Sequence, residues 1–194
     1  MKNKAVLAFL SFVAALALAL PALAQKSTGA FYVGAAFGQS TSDSFCDNLG
    51  PPCKDQDQTW KVLGGYEFNR YLAVEGGFSN LGAPHDTAIG PRDDKKQAIE
   101  LVGILSYPVV WDLAVYGKLG AYHGRVRGSN AGVSFNESNT DVTYGFGVQW
   151  NFIDQLALRA ELQRYPRMGG AVGSPAGGPQ DVAVWSVGAI FRFR

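Results

Sequence analysis

Val142-Thr-Tyr-Gly-Phe-Gly-Val-Gln-Trp150, followed after the connector Ile153-Asp-Gln155 by Leu156-Ala-Leu-Arg-Ala-Glu-Leu162, decides the fold. Alternate residues are apolar: Val142, Tyr144, Phe146, Val148 and Trp150, then Leu156, Leu158, Ala160 and Leu162. Between them stand Thr143, Gly145, Gly147, Gln149, Ala157, Arg159 and Glu161. A period of two marks an extended strand whose faces meet different surroundings. A helix would bring every third or fourth residue to one side and mix the two sets. The expected element is a β-hairpin with one wholly apolar face.

The pattern recurs in both directions. Eight segments of this kind span about 30–39, 59–69, 71–81, 97–108, 113–125, 141–152, 156–165 and 182–193. Asn69-Arg70, Pro108 to Asp112 and Ile153 to Gln155 are short connectors. Residues 40–58, 82–96, 126–140 and 166–181 are long and rich in Gly, Ser, Asn, Asp and Pro. Short turns at one end and long loops at the other are the layout of an up-and-down transmembrane barrel.

Charge decides which face looks outward, because a soluble lipocalin-type barrel alternates too. The apolar parity includes Phe31, Val33, Phe37, Trp60, Val62, Phe78, Leu101, Leu119, Val187 and Phe191, and no member of it is charged. The other parity carries Lys61, Glu67, Glu75, Glu100, Lys118, Arg159, Glu161 and Arg192, four of each sign, among Gly, Ala, Ser, Thr and Gln. A solvated sheet face would hold more charge and less glycine. A cramped lumen needs small residues and mutually neutralised ions, whereas a Lys or Arg facing mid-bilayer lipid costs roughly 2–4 kcal/mol. The expected fold is therefore all-β, an eight-stranded antiparallel transmembrane barrel with its apolar side out and the eight ions forming a lumen network. Phe68, Tyr71, Tyr107, Trp111, Trp150, Phe152, Phe191 and Phe193 gather near the short turns. Phe37, Trp60, Phe78, Tyr144, Tyr165 and Trp185 gather toward the long loops. Two such girdles suit rings that prefer headgroup depth.

The N-terminus agrees. Lys2 and Lys4, the apolar run Ala5–Leu20, Pro21 and Ala22-Leu23-Ala24 compose a secretory signal peptide, expected to be cleaved before Gln25. The rival, an uncleaved membrane helix, would need about 20 apolar residues and a basic stop. Without that leader the chain keeps 15 basic and 16 acidic side chains, a balance that argues against general nucleic-acid binding. Cys46 and Cys53 flank a Pro-Pro pair in a polar stretch, and in an oxidising compartment they read as a loop disulfide. A metal or redox pair would need further ligands or a closer spacing.

Gly65-Tyr-Glu-Phe-Asn-Arg-Tyr-Leu-Ala-Val-Glu-Gly-Gly-Phe-Ser-Asn-Leu-Gly82 resembles the second hairpin of the OmpA-like transmembrane domain family. Ser106-Tyr-Pro-Val-Val-Trp-Asp-Leu-Ala-Val-Tyr-Gly-Lys-Leu-Gly120 resembles its central turn and fifth strand. Val148-Gln-Trp150, Leu156 to Glu161 and Trp185-Ser-Val-Gly-Ala-Ile-Phe-Arg-Phe193 are similar to its last strands. The resemblance implies a bacterial outer-membrane barrel with both termini in the periplasm and four loops outside the cell. It also implies an interior ion network containing Glu75, Lys118, Arg159 and Glu161. Ile104 and Gln149 depart from the family pattern, which has a lysine and an acid there, and Arg194 follows the C-terminal aromatic Phe193. The family's frequent peptidoglycan-binding domain is not expected, so residues 25–194 read as one barrel domain.

Eight strands enclose a lumen just wide enough for side chains to fill, so the interior reads as plugged, with a narrow passive ion channel as the alternative. Lipid A-modifying enzymes of this size use His with Ser or Asp. The two histidines, His85 beside Asp86 in a connector and His123 on the outward parity, lack a His-x-Ser arrangement on one strand face, and catalysis is not expected. Arg125 and Arg127 continue the outward face of strand five past the membrane edge, where they would meet lipopolysaccharide phosphates or stand as ordinary loop charges. No cofactor, metal or nucleic-acid partner is expected. The expected protein is monomeric and non-enzymatic, bound to outer-membrane lipid and lipopolysaccharide, with its loops open to an extracellular ligand or host surface.

Overall fold

The computed structural model describes residues 29–42, 56–82, 85–86, 92–93, 95–110, 112–130, 133–168 and 180–193. The leader at 1–24, the Cys46–Cys53 pair, Trp111 and Arg194 lie outside the described residues. Eight long strands form one closed antiparallel barrel: β1 (Ala30–Ser42), β2 (Gln56–Glu67), β3 (Leu72–Asn80), β4 (Lys95–Val110), β5 (Leu113–Asn130), β6 (Val133–Asn151), β7 (Leu156–Met168) and β8 (Gln180–Phe193). Each strand pairs with its neighbours in sequence, and β8 closes on β1 from Phe31↔Phe193 to Ser42↔Val182. His85–Asp86 and Arg92–Asp93 form a separate two-residue ladder between β3 and β4. Among the described residues no helix is long and apolar enough to cross a membrane.

The registers fix the barrel's width. Phe31 pairs with Tyr66, which leads through Val74, Gly103, Leu119, Tyr144, Arg164 and Ala183 to Thr41. One circuit therefore returns to β1 ten residues further along. Eight strands with that stagger tilt by roughly 40° from the axis. The resulting interior is so narrow that bulk on one strand needs its absence on the next. Tyr32 lies across Gly65, and Tyr116 lies across Gly147; a Cβ on either glycine would run into the ring. Each tyrosine thereby packs against main chain without forcing the strands apart.

The short connectors are tight for local reasons. Asn69 Oδ1 accepts from the backbone of Tyr71 at 2.8 Å and of Leu72 at 2.9 Å, which closes the β2–β3 turn. Phe152 N donates to Leu156 O at 3.0 Å across the β6–β7 turn.

The strand assignments match the expectation to within about two residues at the short-turn end, where β4 runs on through Pro108 to Val110, and depart further at the long-loop end. Residues 126–140 read as a connector, but β5 runs to Asn130 and β6 starts at Val133, with backbone pairs from Val126↔Glu137 to Asn130↔Val133. In this stretch Val126, Val133 and Phe135 stand among glycine and polar residues, so the apolar alternation fades while the hydrogen-bond ladder continues. Around the barrel's middle, Phe31, Phe37, Ile99, Leu101, Leu105, Phe146 and Val187 are exposed, and Tyr32, Val102, Ile104 and Ile190 are buried inside. Outward rings also meet one another along strand ends, as in Trp60–Phe78 and Phe191–Phe193. So large a continuous apolar belt is stable only against hydrocarbon.

Leu158→Arg places a cation on that belt and should block assembly into lipid vesicles, whereas Gln149→Glu, on the inner face, should assemble. Gel mobility with and without boiling reads the folded fraction. Equal yields for the two variants would contradict the assignment of faces.

Candidate functional site

Two regions concentrate functional side chains: the lumen, and the rim where β4 to β8 rise beyond the apolar belt. The inward parity of every strand delivers its polar residues to the axis, so the lumen can be followed from the short-turn end upward.

Arg192 comes first. Its Nε donates to Glu67 Oε1 at 2.8 Å and Oε2 at 3.0 Å, and its Nη2 donates to Asn151 Oδ1 at 2.9 Å. An apolar layer of Tyr32, Ala73, Ile104, Tyr116, Ala157 and Ile190 lies above. Arg159 threads it, with Nη1 on Glu75 Oε2 and Nη2 on Gln149 Oε1 at 3.1 Å. Its guanidinium stands 5.0 Å from the Tyr116 ring centroid and 5.8 Å from that of Tyr32, close enough for cation–π attraction. Tyr32 Oη donates to Glu75 Oε2 at 3.1 Å.

The densest cluster follows. Glu161 Oε1 accepts from Lys61 Nζ at 3.0 Å and from Lys118 Nζ at 2.8 Å, while Oε2 accepts from Tyr116 Oη at 3.0 Å. Glu100 Oε1 faces the same two ammonium groups at 3.1 and 3.6 Å. Its Oε2 accepts from Tyr165 Oη and from Gln163 Nε2, both at 2.7 Å. Two cations thus share two anions, all four buried. A gap beside Lys61, Arg159 and Glu161 measures only about 10 Å³, no more than one water requires. A second apolar layer, with Leu81, Tyr122, Met168 and Val182, caps the cluster. Lys96 lies beyond it, bonded to Ser42 Oγ at 2.8 Å and Gln180 Oε1 at 2.7 Å.

The eight ions singled out by parity therefore fall into three groups: Arg192 with Glu67, Arg159 with Glu75, and Lys61, Lys118, Glu100 and Glu161 together. Parity alone did not reveal their neutral partners. Tyr32, Tyr116 and Gln163 sit on the inward set, where a phenol or amide among glycines was the available signal. Tyr165, expected in the outer aromatic girdle, is wholly buried in the lumen. It shares the inward parity of Ala157, Arg159, Glu161 and Gln163 on β7, and its hydroxyl is held by Glu100. Lys96 falls in the connector that the sequence pattern suggests, because β4 starts earlier than its apolar alternation does.

At the rim Arg167 takes φ of 56°, the left-handed region where a side chain is disfavoured. Neighbouring strands hold it there. Its N–H donates to Asp181 Oδ1 at 2.9 Å, its carbonyl accepts from Asn139 Nδ2, and its guanidinium meets both oxygens of Asp141 at 2.6 and 2.7 Å. Tyr122 Oη donates to the preceding carbonyl of Pro166. Arg125 and Arg127 project outward on β5, with Lys95 directly opposite Arg127 on β4. No carboxylate among the described residues pairs with these three cations. His123 Nδ1 lies 2.9 Å from Thr140 Oγ1 on the outward face. His85 has its backbone in the short ladder, and its side chain is outside the described residues.

Comparison with known proteins places this geometry. The family model described as outer membrane protein beta-barrel domain matches residues 10–193. Outer membrane protein A of Klebsiella pneumoniae is 32% identical over 177 residues, covering 84% of this chain and 51% of the relative. The protein of the same name from Escherichia fergusonii is 30% identical over 190 residues, covering 93% and 53%. The chain thus spans about half the length of these relatives. Among solved structures, Neisserial surface protein A aligns with a TM-score of 0.65 at 16% identity, covering 86% of this chain and all of that one. The N-terminal β-barrel domain of Pseudomonas aeruginosa OprF aligns at 0.58 with 15% identity, over 86% and 100%. Ail of Yersinia pestis, crystallised with the heparin analogue sucrose octasulfate, aligns at 0.53 with 21% identity, over 85% and 97%.

Removing one partner from the central cluster should be costly. Glu161→Gln leaves Lys61 and Lys118 facing Glu100 alone and should lower stability by about 3–5 kcal/mol, read from the urea midpoint of unfolding in vesicles. Glu67→Gln at the more open end should cost about 1 kcal/mol. Equal midpoints for both variants and the parent would show that the cluster adds no stability.

Proposed function

The chain belongs to the outer membrane protein β-barrel domain family, and from this we propose that it serves the outer membrane as a non-enzymatic structural and surface-interaction barrel with a filled interior. It is an outer-membrane protein whose eight antiparallel strands close into a barrel. In our reading the short turns lie in the periplasm, and the three long connectors and the extended β5–β6 hairpin lie outside the cell. There they are available to an extracellular ligand or a host surface, and the barrel acts as a monomer.

One observation supports the filled interior: Lys61, Lys118, Glu100 and Glu161 pair with one another between two apolar layers of the lumen. Ions moving through would have to part Glu161 from both lysines or Arg159 from Glu75, each step exposing a buried charge in a low-dielectric space. A general diffusion pore keeps its wall charges hydrated instead.

The outer rim supports a contact with lipopolysaccharide. Lys95 and Arg127 are directly opposed on neighbouring strands, with Arg125 two residues nearer the membrane. Like charges so placed repel, and a phosphate between them turns that cost into charge-assisted hydrogen bonds, bidentate from arginine.

Refolded, heat-shiftable protein in a planar bilayer should show no conductance above background, and its overexpression should leave the lipid A mass spectrum unchanged. Regular single-channel steps would establish the narrow channel instead, and a new lipid A mass an enzyme. Replacing Arg125 and Arg127 together by Gln should weaken lipopolysaccharide binding several-fold at low salt, with the difference shrinking as salt rises. Identical binding by parent and variant would mark the two arginines as ordinary loop charges.

A further inference from the structure

The outward face carries a groove that no lumen chemistry explains. Its volume is about 1150 Å³, slightly beyond the roughly 300–1,000 Å³ of ordinary small-molecule sites. The floor crosses β5, β6 and β7 at Gly117, Val148 and Ala160. A Cβ added to Gly117 would meet nothing within 4 Å, so neither main chain nor packing requires glycine there. This sets Gly117 apart from the inward glycines Gly147 and Gly188, where a Cβ would collide with a neighbouring strand.

The groove has two unlike ends. Toward the long loops a ledge bounds it over β6, β7 and β8, where Phe146, Leu162 and Trp185 are paired side by side, and Gly117 lies at the β5 end of that row. Toward the short turns it opens between Tyr71 and Tyr107, whose rings suit the depth of lipid headgroups. Arg70 stands at that mouth, exposed in the β2–β3 turn, its guanidinium 4.8 Å from the Tyr71 ring centroid. No carboxylate among the described residues pairs with Arg70.

We propose that this groove is a specific site for a diacyl glycerophospholipid of the periplasmic leaflet, with acyl chain along Gly117 and Ala160 and phosphate at Arg70. Chain and head are recognised by different chemistry at opposite ends of one channel. The apolar floor accepts methylene groups in place of a side chain that the fold would tolerate. The arginine, already oriented by Tyr71, supplies the planar donor pair that a phosphate diester accepts. The ledge limits how deep a chain can lie and so holds the occupant within one leaflet. The site depends on the orientation proposed above, because only with the short turns inward does its mouth meet phospholipid.

Native mass spectrometry of the folded barrel, extracted from membranes in mild detergent and then offered defined lipids, tests this. The parent should retain one phospholipid through purification. Gly117→Leu, which fills the floor, and Arg70→Gln should each lower the bound fraction at least fivefold. Gly64→Leu, on β2 and outside the groove, should leave it unchanged. All three should keep the heat-dependent gel shift, which reports the barrel itself regardless of lipid. Diacylglycerol, lacking phosphate, should not compete with phosphatidylethanolamine or phosphatidylglycerol. Undiminished adducts in Gly117→Leu and Arg70→Gln, or equal competition by diacylglycerol, overturns the site. Lipid A retained in place of phospholipid overturns it too, by opening the groove to the other leaflet.

Discussion

A backbone amide without a partner in hydrocarbon costs several kcal/mol, and a sheet can satisfy that demand only by having no edge. In this chain the condition is met by one pairing, β1 with β8, running from Phe31↔Phe193 to Ser42↔Val182. Once those two strands are joined at a stagger of ten residues around eight strands, tilt and radius are no longer free. The small radius then dictates the lumen's composition. Tyr32 and Tyr116 fit because Gly65 and Gly147 lie beneath them, and the main chain at Gly188 approaches Ala36 too closely for a side chain. The glycines at these inward positions are thus a consequence of closure.

Why the interior is ionic needs a separate reason, because well-packed apolar residues can be as stabilising as a buried ion pair. The answer lies in the period of the strand. A one-residue slip in register exchanges the two faces along its whole length. If both faces were apolar, slipped and correct pairings would differ little in energy. With Arg159 and Glu161 on β7 facing in, a slip of that strand would drive two charges into lipid, take the cation from Glu75 and leave Lys61 and Lys118 with Glu100 alone. The ions make the wrong register expensive, so they specify sidedness even where they add little to stability. The hydroxyls of Tyr116 and Tyr165 complete the device by satisfying the oxygens of Glu161 and Glu100 that the lysines do not reach, and Tyr32 joins Arg159 on the same oxygen of Glu75.

The parts of this arrangement that were legible in the sequence share one property: they repeat every two residues. Strand number, strand order and the lipid-facing set come from that period, and Phe146 or Leu162 can be placed on a face without coordinates. Partnership is different. It depends on which residues the stagger brings level, and no local pattern carries the stagger. Hence Glu161 reaches Lys61, a hundred positions away, and Glu75 reaches Arg159. Legibility also fails where the outward apolar set ends. Along Arg125 to Thr140 the ladder continues, with Val126 buried in the upper lumen layer, and the sequence looks like a loop. Tyr165 was misplaced for another reason: an aromatic near a strand end suits a girdle by type, and only its parity with Glu161 and Gln163 reveals that it points inward.

The same geometry separates what can vary from what cannot. Every inward position is constrained by a neighbour across a narrow space, so the lumen admits few solutions. Outward positions meet only lipid or water, and there shape is free: Gly64, Gly76, Gly103 and Gly117 each leave room for a side chain. Charge obeys a similar rule. Inside, each cation is matched by an acid or an amide. Outside, Arg70 at one end and Lys95, Arg125 and Arg127 at the other have no acid to pair with among the described residues. Unmatched cations at both ends of an apolar belt are what two phosphate-bearing leaflets would stabilise. A barrel whose interior is committed to its own closure thus has its surface left for recognition.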